Sequence, residues 1–118
     1  MGDAITGFFQ AWSEEDASAR EAALDGAMAA PFRYCDPNTP HPIEDLGTLT
    51  DYIGAFTARM PGAQAQIVSR DLHHGAARAV IDFTVDGRAL MRGQYFALLD
   101  ERGRIEHMAG FNGTGETT

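Results

Sequence analysis

The order of hydrophobic periods along the chain constrains its fold more than any single motif. Helix-period segments fill the first half, strand-period runs fill the second, and an acidic dipeptide, Asp36-Pro37, stands among the helices. Ile5, Phe8, Phe9 and Trp12 fall at i, i+3, i+4 and i+7, the apolar stripe of an amphipathic helix. Ser13 is the expected N-cap of a second helix with Asp16 in its first turn, Arg20, Ala23, Leu24, Ala27 and Met28 on one face, and Pro31 as its end. Residues 32–36 read as a short strand with Tyr34 and Asp36 on one side, Arg33 and Cys35 on the other. Pro37, Pro40 and Pro42 make the following stretch an ordered loop. Thr48 is the expected cap of a third helix, carried by Leu49, Tyr52, Ile53, Phe56 and Met60 and stopped by Pro61-Gly62.

Four strands are then expected at 64–72, 77–85, 89–99 and 104–112, with turns at His73-His74-Gly75, Asp86-Gly87 and Arg102-Gly103. The order describes an α+β arrangement, a curved sheet wrapped around helices, with Asp36 at the mouth of the resulting cone. One domain over residues 1–113 and a disordered tail over 114–118 follow from length and from the Gly/Thr-rich end.

Composition excludes several classes of function. A net charge of −8 repels phosphate backbones and anionic lipid, so neither nucleic acid nor membrane is an expected partner. No run approaches the roughly 20 apolar residues that span a bilayer, and the acidic start lacks a signal peptide's pattern. With a single cysteine, Cys35, no internal disulfide forms, which fits a cytoplasmic protein. The last three strands are apolar on both faces: in the fourth run Met91, Tyr95, Ala97 and Leu99 oppose Leu90, Phe96 and Leu98. The helices cover only one face, so a second copy on the convex face is the expected cover, making a homodimer.

The pattern resembles the nuclear-transport-factor-2-like superfamily, and within it the SnoaL-like (polyketide cyclase-like) and ketosteroid isomerase-like branch. The residues that carry the likeness are Phe8-Phe9, Trp12, Tyr34-Cys35-Asp36-Pro37, Leu46-Gly47, Ile53, Phe56, Met60-Pro61-Gly62, His73-His74-Gly75, Arg92-Gly93 and Gly103-Arg104-Ile105 leading to Gly110-Phe111. The resemblance implies an α+β cone, with three N-terminal helices packed in the concave face of a strongly curved mixed or antiparallel sheet, and a general base at Asp36, which moves a proton between carbons beside a carbonyl. It also implies two donors for the enolate oxygen, and here the chain departs, with Phe8 and Tyr95 at those two positions.

The expected site therefore has Asp36 as general acid/base, with Tyr34 and Tyr95 orienting or polarising a substrate oxygen. Phe8, Trp12, Phe56, Ile81, Phe83 and Met108 form apolar walls, His41 stands at the mouth, and Asn112 offers an amide beside open space over Gly110. The substrate would be a small, largely apolar carbonyl- or phenol-bearing molecule, turned over by isomerisation, cyclisation or dehydration with no cofactor and no metal. Two alternatives stay open: a non-catalytic ligand-binding module, and a dimerisation module. For Asp36 itself the alternative is a turn or cap carboxylate before Pro37. His73 and His74 are adjacent, point opposite ways on a strand, and are not expected to share a metal.

Overall fold

A computed structural model describes residues 3–115. The elements run α1 (Ala4–Ala11), α2 (Ala17–Ala27), β1 (Met28–Cys35), α3 (Leu46–Arg59), β2 (Gln64–His73), β3 (Ala76–Val85), β4 (Arg88–Leu99) and β5 (Ile105–Asn112). They form the α+β cone: three helices against one five-stranded sheet in the order β1-β5-β4-β3-β2. β1 lies parallel to β5, and every other pair is antiparallel, so the sheet is mixed. Register shifts interrupt all four pairings, at Ile67/Ser69, Phe83/Thr84 and Leu98/Leu99 among others. Such irregularities bend a sheet, and here they curl it around the helices.

Each helix starts on an aspartate. The Asp3 side chain accepts from Thr6 N–H at 2.8 Å, Asp16 from Ala19 N–H at 2.9 Å and Asp45 from Thr48 N–H at 2.8 Å. Two of these caps correct the sequence reading. Ser13 does not cap α2; its hydroxyl accepts instead from Ala65 N–H of β2 at 3.1 Å. Thr48 does not cap α3 but donates its N–H to the true cap. In both cases the aspartate three residues away competes with an uncharged hydroxyl for the same end, where a carboxylate also gains from the helix dipole. Pro31 does not end α2 either. The strand begins at Met28 and contains Pro31, at the point where its pairing with β5 is irregular. Proline lacks a ladder donor, so an edge strand with broken register is where it is tolerated.

The core fills the concave face. Phe8, Leu24, Leu49, Ile53, Ile81 and Ile105 are fully buried, with Phe9 and Met108 nearly so. Arg20, also buried, donates to the Glu14 and Glu15 carbonyls and to Thr57 Oγ1, tying the turn after α1 to α3. Gly54 makes room for it, since a Cβ there would lie 2.7 Å from Arg20 Nη1. Among the described residues no helix is long and apolar enough to cross a membrane. The tail expected over 114–118 falls outside the described residues apart from Thr114 and Gly115.

Candidate functional site

Tyr34 is next to the last residue of β1, and its backbone is pinned from the edge by Ile43, with N–H···O bonds of 2.8 and 2.7 Å in both directions. That bridge brings the proline-rich loop back onto the strand and fixes where Asp36 projects. The Asp36 carboxylate receives four donors. Oδ1 accepts from the Tyr52 hydroxyl at 2.6 Å, Asn38 N–H at 2.9 Å and Thr39 N–H at 3.1 Å. Oδ2 accepts from the Tyr34 hydroxyl alone, at 2.6 Å. A carboxylate has about four lone-pair positions, so Oδ2 keeps one open while Oδ1 is saturated. The turn role and the inward role expected as alternatives for Asp36 coexist, divided between its two oxygens.

Tyr95 completes the group. Its ring lies across two glycines, and a Cβ on Gly110 would come within 2.5 Å of it, one on Gly93 within 3.2 Å. The open space expected over Gly110 is thus filled by the Tyr95 ring, because these residues pair directly across β4 and β5. Phe9 meets the same ring edge-on at 4.9 Å. Burial, above all, and then the Asp36 charge hold the Tyr95 hydroxyl well above the ordinary tyrosine range, while the neighbouring Tyr34 hydroxyl pulls the other way. Burial likewise raises Tyr34, with Tyr95 and Asp36 adding to it. Tyr52 is raised by burial and by its bond to Asp36, against a small opposing pull from Arg59.

The chain has three tyrosines, and all three are here. Each folded-state value lies above the unfolded value near 10, so the folded protein keeps protons that the unfolded chain releases. The resulting stability is complete below about pH 10 and falls as pH rises beyond it. An alkaline titration is expected to show phenolate absorbance only together with loss of tertiary circular dichroism. Phenolate appearing in the still-folded protein would contradict the buried cluster.

Asp36, Tyr52 and Tyr95 face a cavity of about 50 Å³, walled also by Trp12, Phe56, Phe83 and Asn112 and rimmed by Arg59, Arg92 and Phe111. Trp12, Phe56 and Phe83 pack mutually edge-on, with centroids 5.1 to 5.6 Å apart. Of the expected walls, Trp12, Phe56, Phe83 and Asn112 reach the cavity. Phe8, Ile81 and Met108 are instead packed within the core, Phe8 against the Tyr34 ring at 5.5 Å. His41 is exposed in the loop and does not line the cavity. The expectation that adjacent His73 and His74 diverge does not hold, because His74 takes a left-handed φ of 49° and brings the two Nδ1 atoms to 3.3 Å. No group of three metal-ligating side chains occurs among the described residues. Tyr52 and Arg59 were not expected in the site. Their one sequence signal is helical spacing, since Tyr52 and Phe56 share a face of α3 and Arg59 follows one turn later.

No known protein-family profile matches the chain, and no curated protein matches its sequence. Solved structures do match. A SnoaL-like family protein of Agrobacterium tumefaciens, to which isomerase activity is ascribed, superposes with a TM-score of 0.84 at 26% identity, covering 94% of this chain and 95% of that one. A nuclear-transport-factor-2-like protein of Cytophaga hutchinsonii superposes at 0.66 with 11% identity, over 93% and 87% of the two chains. The chain has the nuclear-transport-factor-2-like fold. A Kribbella flavida protein to which ketosteroid isomerase activity is ascribed has the same nuclear-transport-factor-2-like fold, with a TM-score of 0.63, 18% identity and coverage of 98% and 78%. At such identities the likeness to the Cytophaga and Kribbella proteins is one of fold. On this fold the residues that approach a ligand have to be argued from their own geometry.

Proposed function

We propose that the protein is a cofactor-free enzyme that shifts a proton within a small carbonyl compound, with Asp36 as general base and then general acid. The open position on Oδ2 of Asp36, a residue that lines the cavity, carries this reading. Asp36 removes a proton from the carbon beside the carbonyl, and the electrons of the broken C–H bond form an enolate. Tyr95, kept neutral by its surroundings, donates to the developing oxyanion. The Asp36 carboxylic acid then returns the proton to a different carbon, which moves the double bond and regenerates the carboxylate. Tyr34 and Tyr52 hold the carboxylate in place throughout.

The cavity limits the substrate. About 50 Å³ corresponds to roughly three to five waters, so a steroid does not fit and a compound of about four to seven heavy atoms does. Conversion of 3-cyclopentenone to 2-cyclopentenone, and deuterium uptake by small ketones and keto acids, followed by NMR in deuterated water, test the reading; no conversion and no uptake by either class would overturn it. One observation favours a second, non-catalytic reading: Phe8 is fully buried and supplies no hydrogen bond where the family resemblance implies a donor. Under it, small ketones bind and never exchange protons.

The proposal includes a homodimer through the convex face. Leu90, Phe96, Leu98 and Phe111 are about half exposed there, and Phe96 meets Phe111 edge-on at 5.8 Å. The charges beside them are paired within the face, Arg92 with Asp82 and Arg78 with Asp71. Two copies that each carry −8 would meet where repulsion is least. Phe96→Glu is expected to convert a sedimenting dimer to monomer with the fold kept; a wild type that is monomeric at every concentration rejects the dimer.

A further inference from the structure

The cavity rim carries two arginines in different states. Arg92 is spoken for, its Nε and Nη2 reaching the two Asp82 carboxylate oxygens at 2.6 and 2.9 Å. Arg59, like Arg20, Arg88, Arg102 and Arg104, forms no ion pair among the described residues, but of these it alone lines the cavity that Asp36 faces. Arg59 is exposed, ends α3, and lies close enough to Tyr52 for its charge to act on that hydroxyl. Tyr52 in turn bonds Asp36. The rim therefore presents an unpaired guanidinium on the same helix as a phenol that holds the proposed base.

We propose that Arg59 selects substrates bearing a carboxylate, so that the protein acts on small keto acids or their unsaturated relatives rather than on neutral ketones. This deepens the proton-transfer reading and rests on it. A guanidinium matches a carboxylate with two parallel N–H···O bonds. A carboxylate anchored at the mouth would direct the carbonyl and its acidic C–H inward, to Tyr95 and Asp36. Held at the rim by Arg59, the carboxylate would also stay away from the second anion, Asp36. The competing role for Arg59 is structural, a cation in the last turn of α3 that complements the helix dipole.

The experiment compares 2-oxobutanoate with its methyl ester, which removes the charge and keeps the carbonyl and its C–H. Affinities come from NMR titration of the wild type, Arg59→Met and Arg59→Lys, with melting temperatures to confirm folding. The acid is expected to bind wild type roughly ten- to a hundredfold more tightly than the ester. That preference should collapse in Arg59→Met, return in part in Arg59→Lys, and weaken with added salt. Equal binding of acid and ester, a preference that survives Arg59→Met, or no binding of the acid each overturns the assignment. Asp36→Asn separates the two ideas. It should keep the preference for the acid while losing deuterium uptake at the carbon beside the carbonyl. A wild type that prefers the acid but never exchanges that proton would refute the proton-transfer reading and leave Arg59 as a carboxylate anchor.

Discussion

Asp36→Asn is expected to lower turnover of a small ketone or keto acid by on the order of 10²–10⁴-fold, the usual contribution of a positioned proton-transfer group. The fold should survive. An asparagine carbonyl can still accept from Asn38 and Thr39 N–H, and the Tyr34 hydroxyl can turn to accept from the new amide. The stability cost is then about 1 kcal/mol, one altered hydrogen bond. The substitution changes proton affinity far more than shape, so a folded, ligand-binding and inactive variant is the diagnostic result. Undiminished turnover would remove Asp36 from the mechanism and leave its contacts with Asn38 and Thr39 as its purpose.

The second large effect is on stability. Gly110→Ala puts a methyl group 2.5 Å from the Tyr95 ring, well inside any real carbon–carbon contact. The ring has no easy retreat, since Gly93 lies beneath its other edge and Phe9 packs against it at 4.9 Å. Overpacking of this kind costs about 1–3 kcal/mol, a fall in melting temperature of roughly 4 °C per kcal/mol for a chain of this size. Activity should fall as well, because the displaced hydroxyl is the proposed oxyanion donor. Gly26→Ala is the control: nothing lies within 4 Å of the added carbon, and α2 should tolerate or welcome it. Equal melting points for the two variants would mean that Tyr95 does not occupy the groove over Gly110.

The architecture was legible because hydrophobic period is a local property. Ile5 to Trp12 and Leu49 to Met60 declare helices, alternation declares the strands, and Asp86-Gly87 forms the expected turn, both residues at positive φ. The helix starts were misread where a hydroxyl and an aspartate lay within three residues of each other, a competition that only three-dimensional geometry decides. The site was half legible. Alternation along β1 places Tyr34 beside Asp36, and the Asp-Pro dipeptide marks the mouth. The contribution of α3 was not legible, because the hydrogen bond from Tyr52 joins residues 16 apart across a loop whose path depends on the Ile43 bridge. The walls were overcounted for a related reason: periodicity says that Ile81 and Met108 face inward, but not how deep the helices fill the cone.

The concentration of aromatic groups around Asp36 has an optical consequence. The chain's single tryptophan, Trp12, lies in the cavity wall with its ring centroid 6.3 Å from that of Tyr52, itself 6.2 Å from Tyr34. Light absorbed by these tyrosines passes readily to an indole at such range, so the emission of the whole protein originates in one small region. A ligand entering that region alters the emission directly, and the protein carries a built-in, label-free sensor for its own occupancy.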